Sequence, residues 1–195
     1  MADAEARIAP IINEIFYVTA EFGQYPSGGA HNGVDISTGK NSNLYSIVNG
    51  IITNKGYDSS GWGNFICMKD LTTNQGFLFG HMKEASPLNV GDSVQYGTFV
   101  GIEGTTGNST GIHLHISSQD MTNKDRWTFG LPISQLLDPT QYMGFPNTYG
   151  ITVIYNGTPM PPTPPTPPTP SFRKNNKFKW VLYSRKLRSK NLFIN

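Results

Sequence analysis

A mainly β fold built from short antiparallel strands is what the sequence predicts, and three observations predict it. Short apolar or alternating runs recur between clusters of turn-forming residues. Glycine is frequent, at 21 of 195 residues, which suits tight connections. Charged residues make up only 14%, and no long helix intervenes between the runs. Together these imply an antiparallel sheet or barrel-like sandwich with short helical segments.

Taken in order, Ala4-Glu5-Ala6-Arg7 favours a short helix within residues 4–19, which Pro10 keeps from growing long. Strands are expected near 45–54, 63–69, 75–81, 94–101 and 112–117. Turn clusters separate them: Ser27-Gly28-Gly29, Asn32-Gly33, Asn49-Gly50, Asp58-Ser59-Ser60-Gly61, Gly91-Asp92 and Gly104-Thr105-Thr106-Gly107. Residues 119–157 are less regular, with one or two helical turns expected over Pro132–Leu137. A Pro-Pro-Thr repeat then runs through Pro161–Pro170, a semi-rigid polyproline spacer advancing ~3.1 Å per residue.

The net charge of +2 hides a split. Up to Ser171 there are 7 basic against 13 acidic residues, a balance of −6, whereas Phe172–Asn195 holds 8 basic residues and no acidic one. Trp180, Tyr183 and Leu187 interleave with those cations, a pattern that suits an anionic wall polymer, a lipid surface or a docking protein. Cys67 is the sole cysteine, so no intrachain disulfide forms, and its apolar neighbours point to a buried, inert thiol. No segment reaches the ~20 apolar residues of a membrane span. Met1-Ala2-Asp3-Ala4-Glu5 lacks the basic region of a signal peptide.

The chemistry lies in four histidines: His31, His81, His113 and His115. Residues two apart on a strand point to one side, so His113 and His115 face the same way. Residues four apart also share a side, so His31 and Asp35 can converge. Two imidazoles and a carboxylate are a catalytic zinc set that leaves a fourth position for water. The remaining histidines then suit the roles of general base and oxyanion stabiliser.

These residues sit in motifs that resemble the lysostaphin-type (LytM-like) zinc endopeptidases. His31-Asn32-Gly33-Val34-Asp35 matches that family's His-x-Gly-x-Asp, and Asn43–Ile52 is similar to the segment that follows it. Gly61-Trp62-Gly63-Asn64 matches its Gly-x-Gly-Asn turn, and Phe79-Gly80-His81-Met82 its Tyr-Ala-His-Leu. From Val90 to His115 the match is nearly position by position, ending in His113-Leu114-His115.

The resemblance implies that His31, Asp35 and His115 bind one zinc ion. His81 and His113 would stand beside it, one deprotonating the attacking water and both stabilising the oxyanion, with His113 the better candidate for the base. Three positions depart from the family: Ile112 for Pro, Gly80 for Ala and Phe79 for Tyr. None removes a ligand, and Gly80 is expected to add backbone freedom. Tyr25, Tyr57 and Trp62 are candidates for groove walls.

The organisation implied is an N-terminal segment over 1–19, a zinc peptidase domain over 20–118, an irregular extension packed on it over 119–157, a spacer over 158–170 and a basic aromatic tail over 171–195. The expected function is hydrolysis of stem or cross-bridge peptides in bacterial peptidoglycan. The absent leader, spacer and basic tail suit a bacteriophage product that rides on the virion at the tail tip, with tail proteins or anionic wall polymer as partners. An extracellular autolysin is the next setting. A non-catalytic wall-binding or structural tail component is the rival function, and the presence of all five site residues argues against it.

Overall fold

The computed structural model describes residues 1–157, so the spacer expected at 158–170 and the tail expected at 171–195 lie outside the described residues. The first strands are β1 (Ala4–Glu5), β2 (Ile15–Ala20), β3 (Gly23–Gln24), β4 (Ala30–His31) and β5 (Val34–Ser37). The middle of the chain forms β6 (Asn43–Tyr45), β7 (Gly50–Asp58), β8 (Gly63–Asp70) and β9 (Gln75–Met82). Then follow β10 (Ser93–Val94), β11 (Phe99–Ile102), β12 (Leu114–Asp120), β13 (Leu136–Leu137), helix α1 (Pro139–Met143) and β14 (Thr152–Ile154). The mainly β, antiparallel expectation holds, with very little helix.

One ten-stranded sheet dominates, in the order β1-β14-β2-β5-β12-β9-β8-β7-β10, with β13 paired to β12. Its pairings are antiparallel except β1 with β14. Two small ribbons, β11-β6 and β3-β4, complete the fold. The main core lies on one side of the central strands, where Val34 and Ile36 of β5, Phe77 and Phe79 of β9, and Leu114 and Ile116 of β12 are buried together. Burying such side chains stabilises by roughly 1.5–3 kcal/mol each. A second cluster of Cys67, Leu78, Met121 and Trp127 occupies the other side. Cys67 is buried there as expected, and burial pushes its thiol pKa up.

Several expectations need correction. Residues 4–19 are not helical: an irregular stretch of bends joins β1 to β2. Their backbone donors go to distant acceptors: Ala6 N–H to Ile154 O, Arg7 N–H to Met143 O and Asn13 N–H to Tyr155 O. Tertiary pairing overrides a weak local helix preference. The strand expected at 45–54 is two strands, because the Ser46 hydroxyl binds the backbone of Val48 and turns the chain between β6 and β7. The strand expected at 94–101 likewise splits around a turn in which Thr98 N–H binds Gln95 O. Over Pro132–Leu137 only Ile133–Gln135 is helical, a single 3₁₀ turn. The nearby α1 is not anticipated by the sequence pattern. Asp138 caps it by accepting from Thr140 N–H at 2.9 Å, and Pro139 opens it.

Candidate metal centre

The site forms where β5 and β9 flank β12. His115 of β12 stands opposite Asp35 on one side and Gly80 on the other, so all three face the same way. His31, at the end of β4, enters from above Asp35. Gly33 between them is required by contact: a Cβ there would lie 2.6 Å from His115 Cε1 and 2.5 Å from the Ile116 carbonyl oxygen. The imidazole of His115 rests on the bare backbone of the His-x-Gly-x-Asp turn.

Three donor atoms converge. His31 Nε2 lies 3.2 Å from His115 Nδ1 and 3.3 Å from Asp35 Oδ1, and His115 Nδ1 lies 2.9 Å from Asp35 Oδ1. All three residues are buried, His31 completely. Ligands bound to a tetrahedral zinc at ~2.0–2.1 Å stand ~3.3 Å from one another, so the donor set fits that ion. The second nitrogens support the same reading. His31 Nδ1 is 2.7 Å from the Glu21 carbonyl oxygen, which only accepts, so the proton sits on Nδ1 and the Nε2 lone pair faces the cluster. His115 Nε2 contacts Ser117 Oγ at 2.8 Å, leaving Nδ1 for the metal.

The electrostatics agree with a site for a cation. Burial alone would raise the Asp35 carboxyl pKa, but hydrogen bonds and charge from His115 and His31 outweigh it and hold the group well below the usual carboxylate range. Burial lowers the pKa of His115, opposed by Asp35. Burying three ionisable side chains this close together costs free energy that a shared cation offsets.

The other two histidines flank the triad. His113 donates from Nδ1 to Gly111 O at 2.9 Å, and its Nε2 lies 3.7 Å from Asp35 Oδ2. Its backbone N–H is fixed on Gly104 O. His81 donates from Nδ1 to Thr106 O at 2.8 Å, and its ring centre is 4.6 Å from that of His113. Simple alternation would turn His81 away from the groove, because its neighbour Gly80 already faces it. A register shift between Asn64 and Ile66 of β8, with His81 at φ 58°, swings the ring onto the His115 side. A non-glycine residue in this left-handed region is costly and characteristic of functional sites. Burial lowers the His81 pKa to about 4, so the ring is neutral at pH 7.

The five expected site residues therefore come together. Gly80 is not in a left-handed conformation, and a Cβ there would lie 3.2 Å from Trp62. Tyr25 stacks on His31 with ring centres 4.0 Å apart, and Trp62 lines the same cavity of about 190 Å³. Tyr57 is exposed and does not line it. Sequence reading missed Asp58, Asn108 and Ser117. Ser117 was findable, since it lies two residues beyond His115 on the same strand face. Asp58 and Asn108 lie in turns, where no periodicity marks them.

A buried His-Asp-His triad in a groove on a β-sheet, flanked by two more imidazoles, defines a metallohydrolase-type centre suited to one zinc ion. The model of Peptidase family M23 matches residues 29–126, and the chain belongs to that family. It is 37% identical over 107 residues to the glycyl-glycine endopeptidase ALE-1 of Staphylococcus capitis, which covers 52% of this chain and 28% of that protein. Lysostaphin of Staphylococcus simulans is 35% identical over 108 residues, 52% of this chain and 21% of its own length. The chain thus spans less than a third of these relatives. The solved catalytic domain of S. simulans lysostaphin superposes with a TM-score of 0.54 at 27% identity, covering 64% of this chain and 90% of that one. The catalytic domain of the prophage-encoded M23 protein EnpA of Enterococcus faecalis, solved as a point mutant, gives 0.54 at 26% identity over 68% of this chain and 95% of that one. Among the described residues no helix is long and apolar enough to cross a membrane.

Proposed function

We propose that this chain is a zinc endopeptidase that hydrolyses peptide bonds of bacterial peptidoglycan, with glycyl-glycine cross-bridges the first substrate to try. The observation that carries this reading is the convergence of His31 Nε2, Asp35 Oδ1 and His115 Nδ1 within 3.3 Å of one another, beside two imidazoles with anchored Nδ1 protons. The activity printed for the S. capitis relative points to the glycyl-glycine bond.

In this reading His31, Asp35 and His115 hold the metal. A bound zinc ion supplies Lewis acidity, acidifying water and polarising the scissile carbonyl. The remaining steps belong to the chain's own side chains. His113 is the general base: its Nδ1 proton is committed to Gly111 O, so the Nε2 lone pair takes the proton of the attacking water. Asp35 Oδ2, 3.7 Å away, steadies the charge that arrives there. The same proton then passes to the leaving amine as the C–N bond breaks. His81, neutral and with Nδ1–H fixed on Thr106 O, offers an acceptor that orients the water. It donates to the oxyanion only after gaining a proton of its own.

Residues 20–118 carry the site in this proposal, with the 158–170 spacer and 171–195 tail as an anchor to anionic wall polymer or a phage tail protein. The proposed setting is a phage virion acting on the host wall. The prophage origin of one structural relative supports it, and detection of the chain in purified particles by mass spectrometry tests it. The activity is tested by free-amine release from purified peptidoglycan, with and without a zinc chelator, beside His115→Ala. Release abolished by either change is expected. No release from any wall chemotype despite bound zinc would favour the wall-binding scaffold instead.

A further inference from the structure

The cavity that holds the triad contains a second charged group that the proposed hydrolysis does not use. Asp58, the last residue of β7, lines it together with Trp62, His81 and His115. Its carboxylate is held in place. Oδ1 accepts from Ser60 N–H at 3.1 Å and from Ser60 Oγ at 3.0 Å. Oδ2 lies over the backbone of Gly61, which leaves no room for a Cβ. Among the described residues no donor reaches Oδ2, and no Lys or Arg pairs with Asp58; Lys40, the one lysine in an ion pair, is held by Glu14.

The two carboxylates in this groove thus differ. Asp35 is spent on the imidazoles and the metal they would hold. Asp58, which lines the same cavity as His81 and His115, keeps an oxygen with no hydrogen-bond partner among the described residues. A rigid carboxylate with an unused oxygen beside an aromatic wall favours a cation, since both the charge and the π-face attract one. Trp62 packs against Phe65 and Phe129, with ring centres 6.3 and 5.6 Å away.

We infer that Asp58 is a specificity-determining residue that binds a primary ammonium group of the substrate peptide close to the scissile bond. The inference rests on the peptidase reading and names the substrate class more closely: a peptide with a lysine-type side-chain amine or a free α-amine near the cut. The carbonyl end of the peptide lies toward the triad and the ammonium toward Asp58. A carboxylate in that place is repelled.

Binding, read without turnover, tests this. The zinc-loaded full chain, carrying His113→Ala to stop turnover, is titrated with oligoglycine peptides by calorimetry and by amide NMR shifts of residues 58–61. One arm compares a free α-amine with its acetylated form. Another places Lys at each position in turn and compares it with Nε-acetyl-lysine. At one position or in the α-amine arm, the ammonium form is expected to bind about three- to tenfold tighter, less so at high salt. Asp58→Asn keeps an acceptor for Ser60, so the turn survives, and it is expected to equalise the paired peptides. No tighter binding of any ammonium form, or a preference that persists in Asp58→Asn, overturns the inference. Absence of cleavage of the same peptides by the zinc-loaded chain with His113 intact would count against the peptidase reading alone.

Discussion

The two faces of β5, β9 and β12 make opposite use of the same backbone. On one face Val34, Ile36, Phe77, Phe79, Leu114 and Ile116 interlock in the main core. On the other, one residue out of phase, stand Asp35, Ser37, Gly80, His115 and Ser117. The first face supplies most of the apolar packing, with the small cluster around Leu78 adding to it farther along the second, and so the strands can hold buried charge and unusual backbone beside the triad. Stability and chemistry are thus divided by strand parity, two residues per repeat.

The sharpest break in this comparison is His115→Ala. It removes a ligand and the ring that rests on Gly33. Bound zinc, read by metal analysis, and peptidoglycan cleavage are both expected to fall to background, while the chelator-treated wild type and variant unfold at similar denaturant concentrations. A collapse of the fold would show that the polar face also carries stability.

Phe79→Ala strikes the opposite face. A fully buried ring replaced by a methyl typically costs about 3–5 kcal/mol of unfolding free energy, read as a lower urea midpoint. Folded protein below the transition is expected to bind zinc with nearly unchanged affinity. A matching loss of affinity would mean that core packing tunes the triad directly.

Ser117→Ala removes only the partner of His115 Nε2. Loss of such an outer partner weakens metal binding about 10–100-fold, so competition with a chelator should show a shift in that range without a change in fold.

The smallest effect is on pH. His81 has an ordinary value near 6.5 that burial lowers to about 4 in the fold. The unfolded chain therefore takes up a proton first as pH falls. The stability is fully present above about pH 6.5 and is lost progressively toward pH 4. Solvent reaches the groove, so the loss between pH 7.5 and 5 is on the order of 1 kcal/mol. Urea unfolding at the two pH values measures it, and His81→Gln should reduce the difference, leaving the part that His115 contributes. Bound zinc would push the same way, since a nearby cation disfavours a second positive charge.

Much of this was legible in the chain. Alternation at the start of the strand, where His113-Leu114-His115 leads into β12, places both imidazoles on one side, and the i, i+4 pair His31 and Asp35 meets them. Strands β8, β9 and β12 lie close to where the runs and turns put them. The N-terminal segment misleads because Ala and Glu carry helix preference, whereas its actual partners are β14 and the end of α1, over a hundred residues away. The expected strands at 45–54 and 94–101 are each too long, because the Ser46 hydroxyl and the Gln95–Thr98 turn break them locally.

By itself the sequence determined the strand-rich class and the apolar–polar alternation, because both depend on spacing along a regular backbone, while the motif resemblance singled out His31, Asp35 and His115 as candidate metal donors with His81 and His113 beside them. Tertiary structure alone decided which nitrogen of each histidine faces the site, since distant carbonyls at Glu21, Thr106 and Gly111 hold the other. It also decided that His81 enters the groove at all, through a bulge that reverses its parity. Asp58 joins the same cavity only because β7 and β8 turn back on each other there. Local periodicity can say which way a side chain points from its own strand, but not which distant strand meets it.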